Sequence, residues 1–372
     1  MLVGVPKEIK ADEYRVGLIP STIKELIARG HEVDVETHAG DGAGISDDDY
    51  AAAGARIMPC AEEIFQRAAL IVKVKEPLAA ERARLHGGQI IFTYLHLAAD
   101  REQTHDLMAS GVTAIAYETV TDTAGKLPLL APMSEIAGRM APHVAAHFLE
   151  RPQGGRGILL GAVDGVPAGK VVILGGGTVG ATAAEVAEGM GGDVTIATRR
   201  AETVRRLVQG FGDRVRVLAA HTEEIESLCK SADVVIGAAL VAGGVAPKLV
   251  SAHAVKSMKP GAVIVDVSID QGGCVETSHP TTHSRPTFMV DDVVHYCVAN
   301  MPGAVPRTST FALNNATRPF ILALADKGFP RALIEDANLQ NGLNVHAGQI
   351  TCRAVADALR LPYIAAALIL GA

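Results

Sequence analysis

Residues Lys170 to Arg200, KVVILGGGTVGATAAEVAEGMGGDVTIATRR, constrain the fold more than any other stretch of the chain. The apolar run Val171 to Leu174 suits a buried parallel strand, and Gly175, Gly177 and Gly180 follow it at once. The next residues are rich in Ala, Glu and Met and lack Pro, which predicts a helix that Gly189, Gly191 and Gly192 stop. Val194 to Ala197 then returns as a second strand and completes a βαβ unit. GxGxxG between strand and helix has a mechanical reading. The first glycine allows a tight turn, the second lets backbone N–H groups approach a pyrophosphate, and the third lets the helix pack closely on the strand. The helix N-terminus adds partial positive charge. Gly175, Gly177, Thr178, Val179 and Gly180 are therefore candidate dinucleotide contacts.

The end of the second strand departs from the pattern of NAD-preferring folds, which place Asp or Glu about 20 residues past the first glycine to bind the ribose hydroxyls. Here Thr198, Arg199 and Arg200 follow Ala197. With no carboxylate to repel a 2′-phosphate and two guanidiniums able to bind one, NADP(H) is expected to be accepted alongside or instead of NAD(H).

A length of 372 residues is enough for two or three domains, and 48% hydrophobic against 20% charged residues indicates a folded globular chain. The net charge of -7 supplies no electrostatic reason to bind nucleic acid. The cysteines, Cys60, Cys229, Cys274, Cys297 and Cys352, are scattered and form no CxxC pair, so neither a disulfide framework nor a zinc site is expected and reduced thiols in the cytoplasm fit best. Met1 leads straight into the strand-like LVGV without a basic n-region, so no signal peptide is expected, and the apolar tail from Ile364 is too short to span a bilayer.

The rest of the chain repeats the alternation. Leu2 to Val5, Val33 to Glu36, Leu70 to Val74, Gln89 to Phe92 and Thr113 to Tyr117 read as strands. Helical stretches lie between them, at Ser21 to Arg29 and in PLAAERARLH. The acidic Ser46 to Tyr50 reads as a helix start meeting the dipole, not as a metal site. MSEIAGRMAPHVAAHFLE predicts a helix interrupted near Pro142 that leads stiffly into a second domain. Ala232 to Ala239, Ala262 to Val267 and His295 to Val298 continue that domain as strands, and Thr310 to Lys327 is a helix that returns the chain to the first domain, whose sheet the C-terminal residues would cover. The fold class is α/β, with two Rossmann-like, doubly wound parallel-sheet domains: residues 1–130 plus 306–372 for substrate, and 131–305 for dinucleotide.

In open α/β sheets, ligands bind outside the carboxyl ends of the strands. Lys75 follows LIVKV; Tyr94 and His96 follow QIIF; Arg15 lies in the loop after the first strand. Asp270 follows AVIVDV in a Gly-flanked turn, with Val267 and Ile269 beside it, Ala239 and Leu240 end an earlier strand, and Asn300 and Met301 form the loop after the last.

The chain resembles the alanine dehydrogenase and transhydrogenase-alpha family along its whole length. VGVPKEIKADEYRVGLIP, VKVKEP, FTYLHLAAD, LLAPMSEIAGRMA, VILGGGTVG, VDVSIDQGGCVETSHPTTHSRPTF and HYCVANMPGAVPRTST carry the resemblance. It implies two domains flanking a cleft, a homo-oligomer that is usually a hexamer, and reversible deamination of L-alanine to pyruvate and ammonium with a nicotinamide cofactor. By this resemblance Arg15 and Lys75 would hold the substrate carboxylate, and His96 and Asp270 would be the acid/base groups. Tyr94 and Met133 would line the substrate pocket, while Ser134, Asn300 and Met301 would touch the cofactor. Thr198 stands where the family has Asp, and Ala220 where it has a serine, both at the adenosine end. Rival readings are a transhydrogenase subunit, an NADPH-dependent dehydrogenase aminating another small 2-oxo acid, and a dinucleotide-sensing protein without catalysis. Retention of Arg15, Lys75, His96 and Asp270 argues against the last.

Overall fold

The computed structural model describes residues 1–239 and 246–371. Two compact units divide the chain: Met1–Met133 with Val305–Ala372, and Ser134–Ala304. In chain order the strands of the first part are β1 (Leu2–Val5), β2 (Glu32–Glu36), β3 (Arg56–Met58), β4 (Leu70–Val72), β5 (Ile90–Thr93) and β6 (Thr113–Ala116). Those of the second are β7 (Lys170–Leu174), β8 (Asp193–Thr198), β9 (Arg216–Ala219), β10 (Val234–Gly237), β11 (Val263–Asp266), β12 (Thr287–Val290) and β13 (Val293–Tyr296). The C-terminal segment adds β14 (Leu343–His346) and β15 (Gln349–Ile350).

The first unit holds an 8-stranded sheet in the order β15-β14-β6-β5-β4-β1-β2-β3, and the second a 7-stranded sheet in the order β12-β13-β11-β10-β7-β8-β9. From β3 to β6, and from β9 to β13, neighbouring strands run parallel. Each unit thus winds outward in both directions from its first strand, leaving a switch point between β1 and β4 in one and between β7 and β10 in the other. The sequence reason is plain in LIV, VVIG and VIVD: strands covered by helices on both faces have no polar side, and these are buried end to end.

Several expectations are revised. The helix Ala131–Phe148 runs through Pro142 without a break. Proline forfeits one hydrogen bond and crowds the preceding turn, but Ala137, Ala141 and Ala145 form a buried stripe at four-residue spacing on this helix, and that packing holds it together. PLAAERARLH contributes only the short helix Ala79–Arg82. The C-terminal residues extend the first sheet: β14 pairs antiparallel with β6, and β15 with β14. β12, antiparallel to β13, is a further edge strand. At Ser46 to Tyr50 the acidic run caps a helix, Ser46 accepting from the Asp49 N–H at 3.1 Å while Asp49 accepts from the Ser46 N–H at 2.9 Å. Among the described residues no helix is long and apolar enough to cross a membrane, and no group of three or more His, Cys, Asp or Glu could hold a metal ion.

Candidate functional site

In the first unit, Arg15, Lys75, Tyr94 and His96 lie in segments that follow the carboxyl ends of β1, β4 and β5, while Met133 lies on the helix Ala131–Phe148. Arg15, in the loop after β1, is almost wholly buried, and Glu13 engages its Nε at 2.7 Å and its Nη2 at 2.5 Å. Burial pulls the guanidinium pKa down, and the hydrogen bond and charge of Glu13 more than offset this, so the net shift is upward. The third nitrogen, Nη1, lies 3.0 Å from Met133 Sδ. A bidentate grip on a ligand by the Nε/Nη2 edge is therefore precluded in this arrangement, because Glu13 already occupies that edge.

Lys75, half-buried beyond β4, is fixed through its backbone: its N–H points at Glu8 Oε1 at 3.4 Å and its carbonyl accepts from Thr93 Oγ1 at 2.9 Å. Beneath it Lys73 is fully buried between Glu8 and Glu81, with Nζ 3.1 Å and 2.6 Å from their oxygens. Burial raises the Glu8 pKa, and Lys73 works against that rise.

Tyr94 and His96 follow β5. The Tyr94 hydroxyl donates to the Leu129 carbonyl at 2.6 Å, and burial pushes its pKa well up, so what it presents is a ring face. His96 stacks on that ring, with centroids 5.8 Å apart and planes 10° from parallel. Its backbone is left-handed, with φ at 52°, while its side chain is exposed. The His96 N–H donates to Glu118 Oε1 at 2.6 Å. Arg15, Met133, Tyr94 and His96 thus form one neighbourhood, since the Arg15 charge also acts on Tyr94.

In the second unit the glycine turn fits a dinucleotide phosphate. Gly175 has φ 120°, and a Cβ there would lie 2.4 Å from the Ala238 carbonyl; a Cβ at Gly180 would lie 1.9 Å from the Gly175 oxygen. At Gly177 an added Cβ would meet nothing within 4 Å, so the turn is tight where it packs and open where a phosphate would approach. Gly177 is also the N-cap of the helix Thr178–Gly189, which no side chain caps. Thr178 and Val179 open that helix. Gly180→Ala is expected to weaken dinucleotide binding about tenfold or more, since overpacking against backbone costs about 1–3 kcal/mol. Fluorescence titration of the reduced dinucleotide reads this, and an unchanged Kd would mean the turn is not the phosphate cradle.

Thr198 ends β8 half-buried, Arg199 and Arg200 are exposed, and Arg206 Nη2 donates to the Gly176 carbonyl at 2.6 Å. The Ala239 carbonyl accepts from Ser268 Oγ at 2.8 Å, while Leu240 lies outside the described residues. Val267, Ile269 and Asp270 belong to a 3-10 turn, Val267–Gln271, with Ile269 buried and Asp270 exposed. That turn and the residues beyond it are held by Asp266, a buried carboxylate accepting N–H bonds from Ser268 at 3.2 Å, Cys274 at 2.9 Å and Val275 at 3.1 Å. Asn300 has φ 65°, and its carbonyl lies 3.1 Å from His283 Nε2; Met301 is buried in the core of this unit, and Ser134 is half-buried.

Reading strand ends passed over the carboxylates Glu8, Glu13, Glu118 and Asp266, which hold the selected residues in place. Glu118 and Asp266 carried the same signal as His96, a polar side chain at the carboxyl end of an apolar parallel strand.

Two family profiles match the chain: Alanine dehydrogenase/PNT, N-terminal domain, over residues 4–137, and Alanine dehydrogenase/PNT, C-terminal domain, over residues 141–353. An alanine dehydrogenase of Halomonas elongata is 53% identical over 371 residues, spanning 100% of both sequences. A solved L-alanine dehydrogenase superposes with a TM-score of 0.94 at 53% identity, covering 97% of this chain and 99% of that one. A transhydrogenase from Sinorhizobium meliloti superposes with a TM-score of 0.81 at 25% identity, over 95% of this chain and 100% of that one.

Proposed function

The chain belongs to the alanine dehydrogenase/PNT family, and on that premise we propose that it is an L-alanine dehydrogenase, converting L-alanine, water and an oxidised nicotinamide dinucleotide reversibly to pyruvate, ammonium, the reduced dinucleotide and a proton. The carrying observation is 53% identity to an alanine dehydrogenase along the full length of both chains. Retention of Arg15, Lys75, His96 and Asp270 adds to it.

The dinucleotide, when bound, supplies the hydride acceptor; Gly175, Gly177, Thr178, Val179 and Gly180 would hold its pyrophosphate, with Ser134, Ala239, Val267, Ile269, Asn300 and Met301 along the remainder. Arg15 and Lys75 bind the substrate carboxylate. With its Nε/Nη2 edge turned to Glu13, Arg15 acts through Nη1 and as a fixed charge, while Lys75 is a movable point charge on a flexible stem. The ring of Tyr94 and the thioether of Met133 give the methyl group an apolar surface. His96, exposed beside the Tyr94 ring, takes and returns the protons as water adds to the imine carbon and ammonia departs. Asp270, in the second unit, is the second acid/base group that the family resemblance implies, its carboxylate suited to activating water and to stabilising a cationic imine. Fixing the carboxylate presents one face of the α-carbon, and orientation of this kind contributes several kcal/mol, up to about 7–11 in well-aligned systems.

The direct test measures oxidation of L-alanine and reductive amination of pyruvate with each dinucleotide. Turnover selective for L-alanine and pyruvate supports the reading; turnover only with another 2-oxo acid, or binding without turnover, replaces it.

The adenosine end supports acceptance of NADP(H), because Thr198, Arg199 and Arg200 put two exposed cations and no carboxylate at the end of β8. Thr198→Asp is expected to lower kcat/KM for NADPH about tenfold or more relative to NADH, through like-charge repulsion of the 2′-phosphate. A parent enzyme already strongly selective for NADH would defeat the proposal. The same reading includes a cytoplasmic homo-oligomer, expected to be a hexamer, which sedimentation equilibrium checks.

A further inference from the structure

We propose that Glu118 is the positioning residue that holds His96 in its working conformation, an inference that rests on the role assigned above to His96. β5 and β6 are parallel neighbours, with Thr93 opposite Ala116, so the chain leaves both strands at the same edge. Glu118, in the 3-10 turn Tyr117–Thr119 after β6, is thereby brought beside the turn that carries His96. Its Oε1 accepts the Leu95 N–H at 3.1 Å and the His96 N–H at 2.6 Å, and its Oε2 lies 3.2 Å from the same Leu95 nitrogen. Two successive amides converging on one half-buried carboxylate form a small anion nest built within the protein.

This hold bears on the reaction because of the backbone it supports. His96 adopts φ 52° and ψ 36°, a left-handed conformation unfavourable for a side chain with a Cβ. Such a residue persists only where its surroundings over-determine it. Three contacts do so here: the Glu118 bonds to the backbone, the Tyr94 ring stacked against the imidazole, and the Tyr94 hydroxyl tied to the Leu129 carbonyl. None of them uses an imidazole nitrogen. The backbone that carries the ring is held, and the ring lies nearly parallel to Tyr94 with its nitrogens outside these contacts. Glu118 therefore acts through His96 and does not itself touch substrate.

Glu118→Ala removes both acceptors, while Glu118→Gln keeps a neutral oxygen at the Oε1 position. Each variant is measured as the full-length protein for kcat and KM with L-alanine, for Kd of the reduced dinucleotide, and for hydrogen exchange of the Leu95–His96 segment. For Glu118→Ala we expect kcat to fall about a hundredfold, the scale of a misplacement near 1 Å, with dinucleotide Kd changed less than about twofold and amide exchange at least about tenfold faster. Glu118→Gln should recover kcat to within about tenfold of the parent, because one acceptor survives. If Glu118→Ala does not fold, Glu118→Asp, which keeps the charge on a shorter arm, should show the same two losses in milder form.

Parent-like kcat and exchange in Glu118→Ala would overturn the proposal. So would a Glu118→Gln enzyme as inactive as Glu118→Ala with exchange still slow, which would make the carboxylate a direct participant in proton transfer. A parent protein without L-alanine turnover would remove the functional reading alone, and exchange would still report whether Glu118 holds the turn.

Discussion

Replacing His96 with alanine is expected to lower kcat for L-alanine oxidation by about a hundred- to ten-thousandfold, the range that a positioned general acid–base supplies. Dinucleotide binding should remain close to that of the parent, because His96 is not part of the glycine turn and helix start that would hold the pyrophosphate. The same loss is expected for Asp270→Ala. Asp270→Asn adds a distinction: it keeps the shape and hydrogen-bonding reach of the side chain but removes the charge, so an inactive Asn variant assigns the effect to charge. The backbone at Asp270 is held by Asp266 through the N–H of Ser268, which the substitution does not touch. The double variant should be little worse than either single one, since two groups serving one proton-transfer sequence are lost as a unit. Stopped-flow measurement of a single turnover, alongside fluorescence titration of the reduced dinucleotide, separates chemistry from binding. Either single variant turning over within about tenfold of the parent would remove that residue from the chemistry.

Most of what positions these residues was legible in the sequence, for a definite reason. In parallel sheets covered on both faces, strands appear as short uninterrupted apolar runs, and their carboxyl ends mark where ligands bind. Leu2–Val5 was read to the residue, and the strand starting at Thr113 to within one residue at its end. The glycine spacing after β7 was legible because each glycine answers a local steric demand. Features set by remote partners were not. β14 reads LNVH, too short and mixed to declare itself, and becomes a strand by pairing with β6 more than two hundred residues earlier in the chain. β12 is likewise an edge strand defined by its neighbour. The continuous helix through Pro142 was missed because a local rule was outweighed by a buried alanine stripe. The supporting carboxylates were missed for the same kind of reason: Glu13, Glu118 and Asp266 look like ordinary loop or strand-end acids until the amides and the guanidinium they engage are known. Lys75 stands out in the sequence as the cation that follows LIVKV, whereas Lys73 within it is the one fully buried.

Lys73 is where the largest loss of stability is expected. Its ammonium sits between Glu8 and Glu81, and the side chains of all three are essentially sealed from solvent. Lys73→Met preserves most of the stem volume and deletes the charge, leaving two buried carboxylates without their shared cation. Removing one partner of a buried ion pair costs about 3–5 kcal/mol, a large share of the stability of an ordinary domain. The effect should depend on pH with a definite sign. Burial already raises the Glu8 pKa above the usual glutamate range, and Lys73 is the main influence holding it down, so the substitution pushes it higher. A carboxyl group whose folded pKa is raised contributes stability below its unfolded pKa and loses it as pH rises through the folded value. The deficit of Lys73→Met should therefore be greatest above the raised folded-state pKa of Glu8 and shrink as pH falls through it toward the ordinary glutamate range, as Glu8 takes up a proton in the folded state. Adding Glu8→Gln, which keeps an acceptor for the Val74 N–H now 2.7 Å from Glu8 Oε1, should recover much of the loss at neutral pH. Chemical denaturation of parent, single and double variants across this pH range measures all three statements. A deficit below about 1 kcal/mol, or one that grows on acidification, would show that the cluster does not carry the first unit in the way its burial implies.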